Sequence, residues 1–537
     1  MTKGFESISS YIKTYLSHSE VFGYKASFAE IKQDIRSIDL DEALLILSQF
    51  TVLDKKSKEK MKENLKQFVI DKELVDSFEI FDVSNLMYTM KWFIAYGTRN
   101  SFYSFNNKHS KPFNVFLTVL KVTDAMINNI DNSNDVQGIV LKESLFLRNT
   151  EIDRSLLRQH IMFQEIAKKK ELFQAKDYID IHKIYEEKYG YSISEYVSTI
   201  FALNTQCIKG RAIEEIIQER EWGIDPIKFF DKIKIKDKAI SIYDSVSIDP
   251  LELREWARET INNPYDFEKL LVSPIFIYNN LAYPCSPGNM NAVIFDGLFF
   301  KIRNCFGSRD ISFFDFFGKL FELYVSDLLK VAVENSQIDN YDFIDEFSFG
   351  KNMSDRSSDA YILLGKSLLV VECKSGRIRR ETKLEADEKT TDEDFKKYAI
   401  EPVKQANKAY TEIVKNDKER FKGANKVTIL SVSLQSFPRL PNYNESFYDS
   451  EWRKELHPTV KQCDYIGLGD IELIAYIIEK FDMSIFRFIQ TKISTDNYIP
   501  YANYFYKKYG EIRRLESHNE KLKEVFMDIT NTLGFEK

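Results

Sequence analysis

Apolar residues recur at helical spacing through the first 240 or so positions, as in Leu40-Asp41-Glu42-Ala43-Leu44-Leu45-Ile46-Leu47 and the charged segment from Ser155 to Phe173. Residues 1–244 are therefore expected to be a helical region. Charge runs such as Lys168-Lys169-Lys170 read there as solvated helix faces. Near residue 245 the texture changes. Prolines 250, 264, 274, 284 and 287 punctuate short apolar runs such as Pro274-Ile275-Phe276-Ile277-Tyr278, which predicts an adapter of short strands and turns over 245–310.

From Ile311 the period alternates. A helix is predicted over Phe313 to Val333, then strands near 343–349, 359–364 and 367–374. A charged loop leads to a helix near 392–414 and a strand at 426–432. This is an α/β unit spanning 311–468 with a central mixed sheet. The pattern returns to helix from about Asp470, so 469–537 is expected to be a helical tail. The fold class is α + α/β.

Two apolar strands flank Gly365-Lys366, and glycine at the first position of a two-residue loop suits a type II′ hairpin turn. Counting outward from that turn sets Leu364 against Ser367, Leu363 against Leu368 and Asp359 against Glu372. Opposed side chains share a sheet face with Cβ atoms roughly 4.5–5.5 Å apart. Lys374, two residues past Glu372, shares that face. Two carboxylates that close repel unless a cation lies between them. Mg²⁺ is the fitting ion, because it binds one or two carboxylates together with phosphate oxygens and water. Lys374 is placed to orient a water and to stabilise developing charge. Glu30-Ile31-Lys32, Glu186-Glu187-Lys188 and Glu381-Thr382-Lys383 have the same spacing, but none ends an apolar strand with an acid opposite. The plainer alternative is a surface hairpin with an ordinary salt bridge. It leaves three charges at the end of an apolar ribbon without compensation.

Asp359 followed by Glu372-Cys373-Lys374 resembles the PD-(D/E)XK, or restriction-endonuclease-like, nuclease superfamily, and the resemblance covers about residues 311–440. It implies that Asp359 and Glu372 hold a divalent metal, Mg²⁺ with Mn²⁺ able to substitute, and that the backbone carbonyl of Cys373 adds a ligand. It also implies a further glutamate on the preceding helix. Glu322 fits, with small residues Gly318 and Ser326 one turn to either side. A glutamine on the following helix would be Gln405, the alternative being a plain surface residue. Tyr410 lies one position beyond that family's Gln-x-x-x-Tyr spacing and reads as core. Ser358 stands where the family's name has proline. Arg377, Arg379, Arg380 and Lys383 surround a single acid, Glu381, and read as a loop contacting nucleic-acid backbone or as a solvated loop. By architecture, nucleases with bulky extensions resemble effectors of bacterial antiphage defence and restriction-type enzymes.

The remaining features bound this picture. Gly365-Lys366-Ser367 joins two strands and Gly467-Leu468-Gly469 lacks a third glycine, so neither an ATP nor an NAD site is expected. Five cysteines (207, 285, 305, 373 and 463) form no CxxC pair and fit a reducing cytoplasm. The amphipathic opening from Met1 has no apolar signal core, and no membrane span is expected. A net charge of −7 argues against a protein that simply coats DNA, though not against an enzyme with one basic cleft. The function expected is Mg²⁺-dependent cleavage of nucleic acid, DNA foremost. RNA such as tRNA is the alternative substrate, and a non-catalytic binding scaffold the alternative role. Residues 1–244 would serve a sensor, regulatory or partner-binding role, through a homodimer or a partner protein.

Overall fold

In the computed structural model, residues 15–69, 72–99, 110–126, 133–146, 151–205, 210–218, 222–417, 419–512 and 514–534 are described; the opening stretch and Cys207 lie outside them. The helical period of the N-terminal region becomes a helical core. Helix α1 (Leu40–Phe50) starts where Asp39 accepts from the N–H groups of Asp41 and Glu42. It buries Leu40, Ala43, Leu44, Leu47 and Phe50, and packs on α2 (Val83–Tyr96). Within α2 the buried Lys91 donates to three carbonyls of one loop, Thr260 at 2.7 Å, Asn263 at 2.9 Å and Asp266 at 3.0 Å. Among the described residues no helix is long and apolar enough to cross a membrane.

The segment expected as one helix over 155–173 is broken. Helix α3 (Ile152–Gln159) passes into a π turn at His160–Glu165 and then into two short 3₁₀ turns. His160, Ile161, Met162 and Phe163 are all buried, and four consecutive inward residues need the wider turn. The adapter has its predicted strands: β1 (Ser247–Ile248) pairs in parallel with β2 (Ile275–Tyr278), which also pairs with antiparallel β3 (Leu281–Pro284). It also holds helix where turns were expected, because Pro287 is the first residue of a helix capped by Ser286. Phe276 and Tyr283 join the N-terminal core, whereas Val293, Leu298 and Phe299 join the core beneath the main sheet.

The C-terminal half begins with helix α4 (Ser312–Glu334) and strand β4 (Tyr341–Asp345). The strand expected at 343–349 is two pieces. Beyond β4 the chain leaves the sheet, and β5 (Ser348–Phe349) pairs with β6 (Asp355–Arg356) in a separate ribbon. Strands β7 (Ala360–Leu364) and β8 (Ser367–Lys374) then form an antiparallel meander with β4. Strands β9 (Lys426–Ser433) and β10 (Val460–Gly467) continue in parallel with β8. The result is a five-stranded mixed sheet, ordered β10-β9-β8-β7-β4. The charged loop after β8 is partly helical, forming α5 (Arg380–Glu385).

The helix expected at 392–414 is α6 (Glu388–Phe395), a π turn at Lys396–Ile400, and α7 (Glu401–Asn416). Pro402 supplies the reason. It has no N–H for the carbonyl of Tyr398 four residues back, and that carbonyl accepts from Ser431 Oγ at 2.6 Å instead. One sheet face, with Ile362, Leu369, Val371, Leu430 and Val432, packs on α4 and on α8 (Leu468–Lys480). The other, with Tyr361, Leu368, Val370 and Ile429, packs on Val403, Ala406 and Tyr410 of α7. The boundary drawn at 468/469 therefore falls within α8, a helix that completes the sheet's packing.

Candidate metal centre

The hairpin has the register counted from its turn. Gly365 alone of the two turn residues has a positive φ, +58°, as a type II′ turn requires. Leu364 pairs with Ser367, and the ladder runs to Ala360 against Val371. One step on, the regular ladder ends: Asp359 N–H donates at 3.1 Å to the O of Val371, the residue already paired with Ala360, so Asp359 is not in register with Glu372, although the two carboxylates lie close enough to repel each other. Asp359 Oδ2 accepts from the Cys373 backbone N–H at 2.6 Å. Glu372 is buried and its Oε1 accepts from Lys374 Nζ at 3.1 Å. That ammonium also donates to Gln405 Oε1 at 3.0 Å, which brings α7 into the site.

Glu322 arrives from α4 on the opposite layer. A Cβ on Gly318, one turn earlier, would lie 3.5 Å from Ser375 Oγ, so this helix lies close against the chain leaving β8. Ser326, the other small residue of the stripe, donates to Asp345 Oδ1 at 2.7 Å and so ties α4 to β4. Lys319 was not singled out from sequence. Its Nζ donates to Glu322 Oε2 at 3.2 Å and to Glu346 Oε2 at 2.6 Å, and Arg356 donates to Glu346 Oε1 at 3.0 Å. The i,i+3 spacing of Lys319 and Glu322 was the only sequence signal for this network.

The electrostatics reflect this crowding. Burial first, then the carboxylates of Glu372 and Glu322, hold Asp359 well above the usual carboxylate range. Burial also raises Glu372, against the pull of Lys374, and raises Glu322, against the pull of Lys319. Three neighbouring acids thus resist ionisation together. Each is turned toward a donor of its own: Asp359 to a backbone N–H, Glu372 to Lys374, Glu322 to Lys319.

No family model, curated protein or solved structure matches this chain. Among the described residues, the one set of three His, Cys, Asp or Glu ligand atoms within 4.8 Å of one another is His160, Glu165 and Glu524. Lys521 already pairs with both glutamates there, so that set is neutralised by a protein cation. The carboxylates of Glu322, Asp359 and Glu372 do not all lie within that distance of one another.

The basic loop differs from expectation. Arg377 donates to Asp296 at 2.8 Å and stacks on Phe299, with 4.2 Å from guanidinium carbon to ring centre. Arg379 is held by Glu393 at 2.8 Å and Asp394 at 2.9 Å, and Arg380 by Glu268 at 2.8 Å. Lys383 lies half-buried on α5. The segment is folded and its three arginines are matched by acids from elsewhere in the chain. Only Glu381 was visible locally; the acids that pair these arginines come from elsewhere in the chain.

A cation in this cluster has a measurable signature. Mg²⁺ at millimolar concentration is expected to raise the melting temperature, since an ion that binds only the folded chain stabilises it by mass action. Asp359→Asn removes one of the repelling charges. In EDTA it should melt about 1–3 °C higher than wild type, and it should lose the Mg²⁺-induced rise. A variant that melts lower in EDTA and keeps the full Mg²⁺ effect would exclude Asp359 as a ligand. Differential scanning calorimetry reads both.

Proposed function

We propose that this chain is a divalent-metal-dependent nuclease whose sheet is a restriction-endonuclease-like core of the PD-(D/E)XK kind. What supports the reading is the open end of the hairpin, where Asp359 accepts from the Cys373 N–H and Glu372 from Lys374, so that two acids and an ammonium are gathered together. Asp359, Glu372, the Cys373 carbonyl and Glu322 would hold Mg²⁺, or Mn²⁺ in its place. The bound ion would polarise a phosphodiester and make a water nucleophilic near neutral pH. Lys374, steered by Gln405, would orient that water and meet the charge that develops on the phosphate oxygens. DNA is the substrate this reading favours, and bacterial antiphage defence or restriction is the setting its architecture suggests.

One observation favours a second reading. The three acids already have protein donors and their carboxylates do not all lie within 4.8 Å of one another, as expected of a scaffold that kept the fold and binds nucleic acid without cutting it. Incubation with supercoiled plasmid, linear duplex, single-stranded DNA and tRNA separates the readings. Mg²⁺ should permit cutting of at least one substrate, and EDTA should stop it. Cutting confined to tRNA would move the substrate from DNA to RNA. Retention of all four substrates intact, with Mg²⁺ and with Mn²⁺, would leave the scaffold.

A further inference from the structure

A cleft of about 600 Å³ opens at the C-terminal ends of β9 and β10, lined by Leu434, Pro438, Leu440, Gly467, Ile499 and Pro500 among others. Crevices beyond the carboxyl ends of parallel strands are where α/β sheets take ligands. Helix α8 begins in this cleft with Gly467 as its N-cap; glycine offers no capping side chain, and the Asp470 carboxylate meets only the Gly467 N–H, at 3.2 Å. Glycine is required at this turn, because a Cβ at Gly467 would lie 2.6 Å from Ser436 Cβ.

Two guanidiniums from α3 stand over the helix start. A Cβ on Gly469 would have Arg158 Nη2 at 3.8 Å and Arg154 Nη1 at 3.9 Å. Two cations at the positive end of a 13-residue helix repel the helix dipole, and an anion between them would relieve that repulsion. Arg158 is already neutralised by a two-pronged pair with Glu472, 2.7 Å on each side. Arg154 has only Glu151, an i,i+3 partner at 3.1 Å whose side chain is two-thirds exposed. Solvent-exposed pairs of that kind are weak and yield easily to a competing anion.

A second observation points to a ligand. Ser155 lines the same cleft and is fully buried, and its Oγ has no hydrogen-bond partner. A buried hydroxyl beside a guanidinium and a helix N-terminus is a ready donor to phosphate. The acids in the lining do not oppose this. Asp296 is paired with Arg377 and Asp470 accepts from the Gly467 N–H at 3.2 Å, while Glu151, two-thirds exposed, is the partner an incoming anion would displace into solvent. The apolar wall of Pro438, Leu440, Ile499 and Pro500 suits a sugar or base beside the phosphate.

We infer that this cleft binds a nucleotide phosphate between Arg154, Ser155 and the N-terminus of α8. The Leu434 N–H that opens the cleft donates to Lys374 O at 3.2 Å, so the cleft lies one strand from the proposed metal centre. The phosphate has two sources: a nucleic-acid strand crossing from Lys374, which rests on the nuclease reading, or a free mononucleotide, which does not.

The test uses the full chain in EDTA, with a fluorescent single-stranded oligonucleotide, AMP and inorganic phosphate as probes. Arg154→Ala should weaken binding about tenfold, the loss of one charge-assisted contact. Gly469→Asp should abolish it by putting a carboxylate in the anion's place. That change suits the first turn of a helix, so the fold is kept. Lys374→Ala should leave AMP binding unchanged. Competition by AMP identifies a free-nucleotide site, and Arg154-dependent binding of the oligonucleotide alone identifies a strand phosphate. Binding of every probe unaltered by Arg154→Ala and Gly469→Asp, or no binding of any, overturns the inference. Arg154-dependent binding by a protein that cuts nothing would sink the nuclease reading and leave this one standing. Cutting with an unaltered KM in both variants, and unaltered binding, would do the reverse.

Discussion

Lys374→Ala is expected to lower Mg²⁺-dependent cleavage roughly 10³-fold while leaving the fold intact, as removal of a single preorganised donor to developing charge does elsewhere. The fold should survive because Lys374 is half-exposed at a strand end and its two contacts are polar, Glu372 Oε1 and Gln405 Oε1. The variant removes a cation from beside a buried carboxylate, so Glu372 should hold its proton still more firmly and Mg²⁺ should bind less well near neutral pH. Two readouts separate the roles. Loss of kcat at saturating Mg²⁺ assigns Lys374 to the chemistry, whereas full recovery at high Mg²⁺ would confine it to charge balance. Equal cutting by variant and wild type at all Mg²⁺ concentrations would remove Lys374 from the site. Gln405→Ala, which only frees the ammonium, should cost far less.

The largest effect on stability is expected at Asp464, in the middle of β10. Its carboxylate is fully buried and accepts from Arg439 Nη2 at 3.0 Å and from Tyr501 OH at 2.9 Å. Lys492, on α9 (Ile485–Thr495), lies 4.0 Å away and is also fully buried. Asp464→Ala leaves the Arg439 guanidinium buried without its counter-charge, which costs about 3–5 kcal/mol. That is a large fraction of a domain's stability, so the variant should accumulate as insoluble protein or melt far below wild type.

Lys492→Met should behave oppositely. Burial first, then the nearby Arg439, pushes the Lys492 ammonium down from 10.5 to about 7. A depressed lysine makes the unfolded chain the better proton acceptor between those values, so stability should rise with pH across that window. The methionine variant should be close to wild type in stability and should lose that rise. Urea melts at about pH 7, 8.5 and 10 would show it. An unchanged slope would mean that Lys492 is not the titrating group.

Much of this fold could be read ahead because its elements are locally specified. The alternation around Gly365-Lys366 sets both strands and their register, and a one-residue slip would have turned Glu372 to the other face. Helix α4 carries its period along its whole length. The features that were not legible share a physical cause, namely dependence on partners far along the chain. Strand β10 reads as polar because Lys461, Gln462 and Asp464 interrupt it, and the distant Arg439, Tyr501 and Lys492 make Asp464 acceptable inside. The π turn at 396–400 arises from Pro402, but its tolerance depends on Ser431 in the next strand. The arginines after β8 looked free because Asp296, Glu268, Glu393 and Asp394 lie outside that stretch. In the proposed metal centre, the nearness of Asp359, Glu372 and Lys374 was legible from one hairpin. Lys319 and Glu346 were not, since they meet only when α4 folds over the chain beyond β4.

The Lys91 ammonium, with its three carbonyls, has a mechanical consequence. The loop it clasps also reaches forward, since Asn263 Nδ2 donates to the Leu384 carbonyl of α5 at 2.8 Å. The N-terminal helices are thereby tied, through Lys91, Asn263 and the Arg380–Glu268 pair, to the chain that follows Lys374. A change in the position of α2 would therefore bear on the chain that leaves β8, at the Leu384 carbonyl.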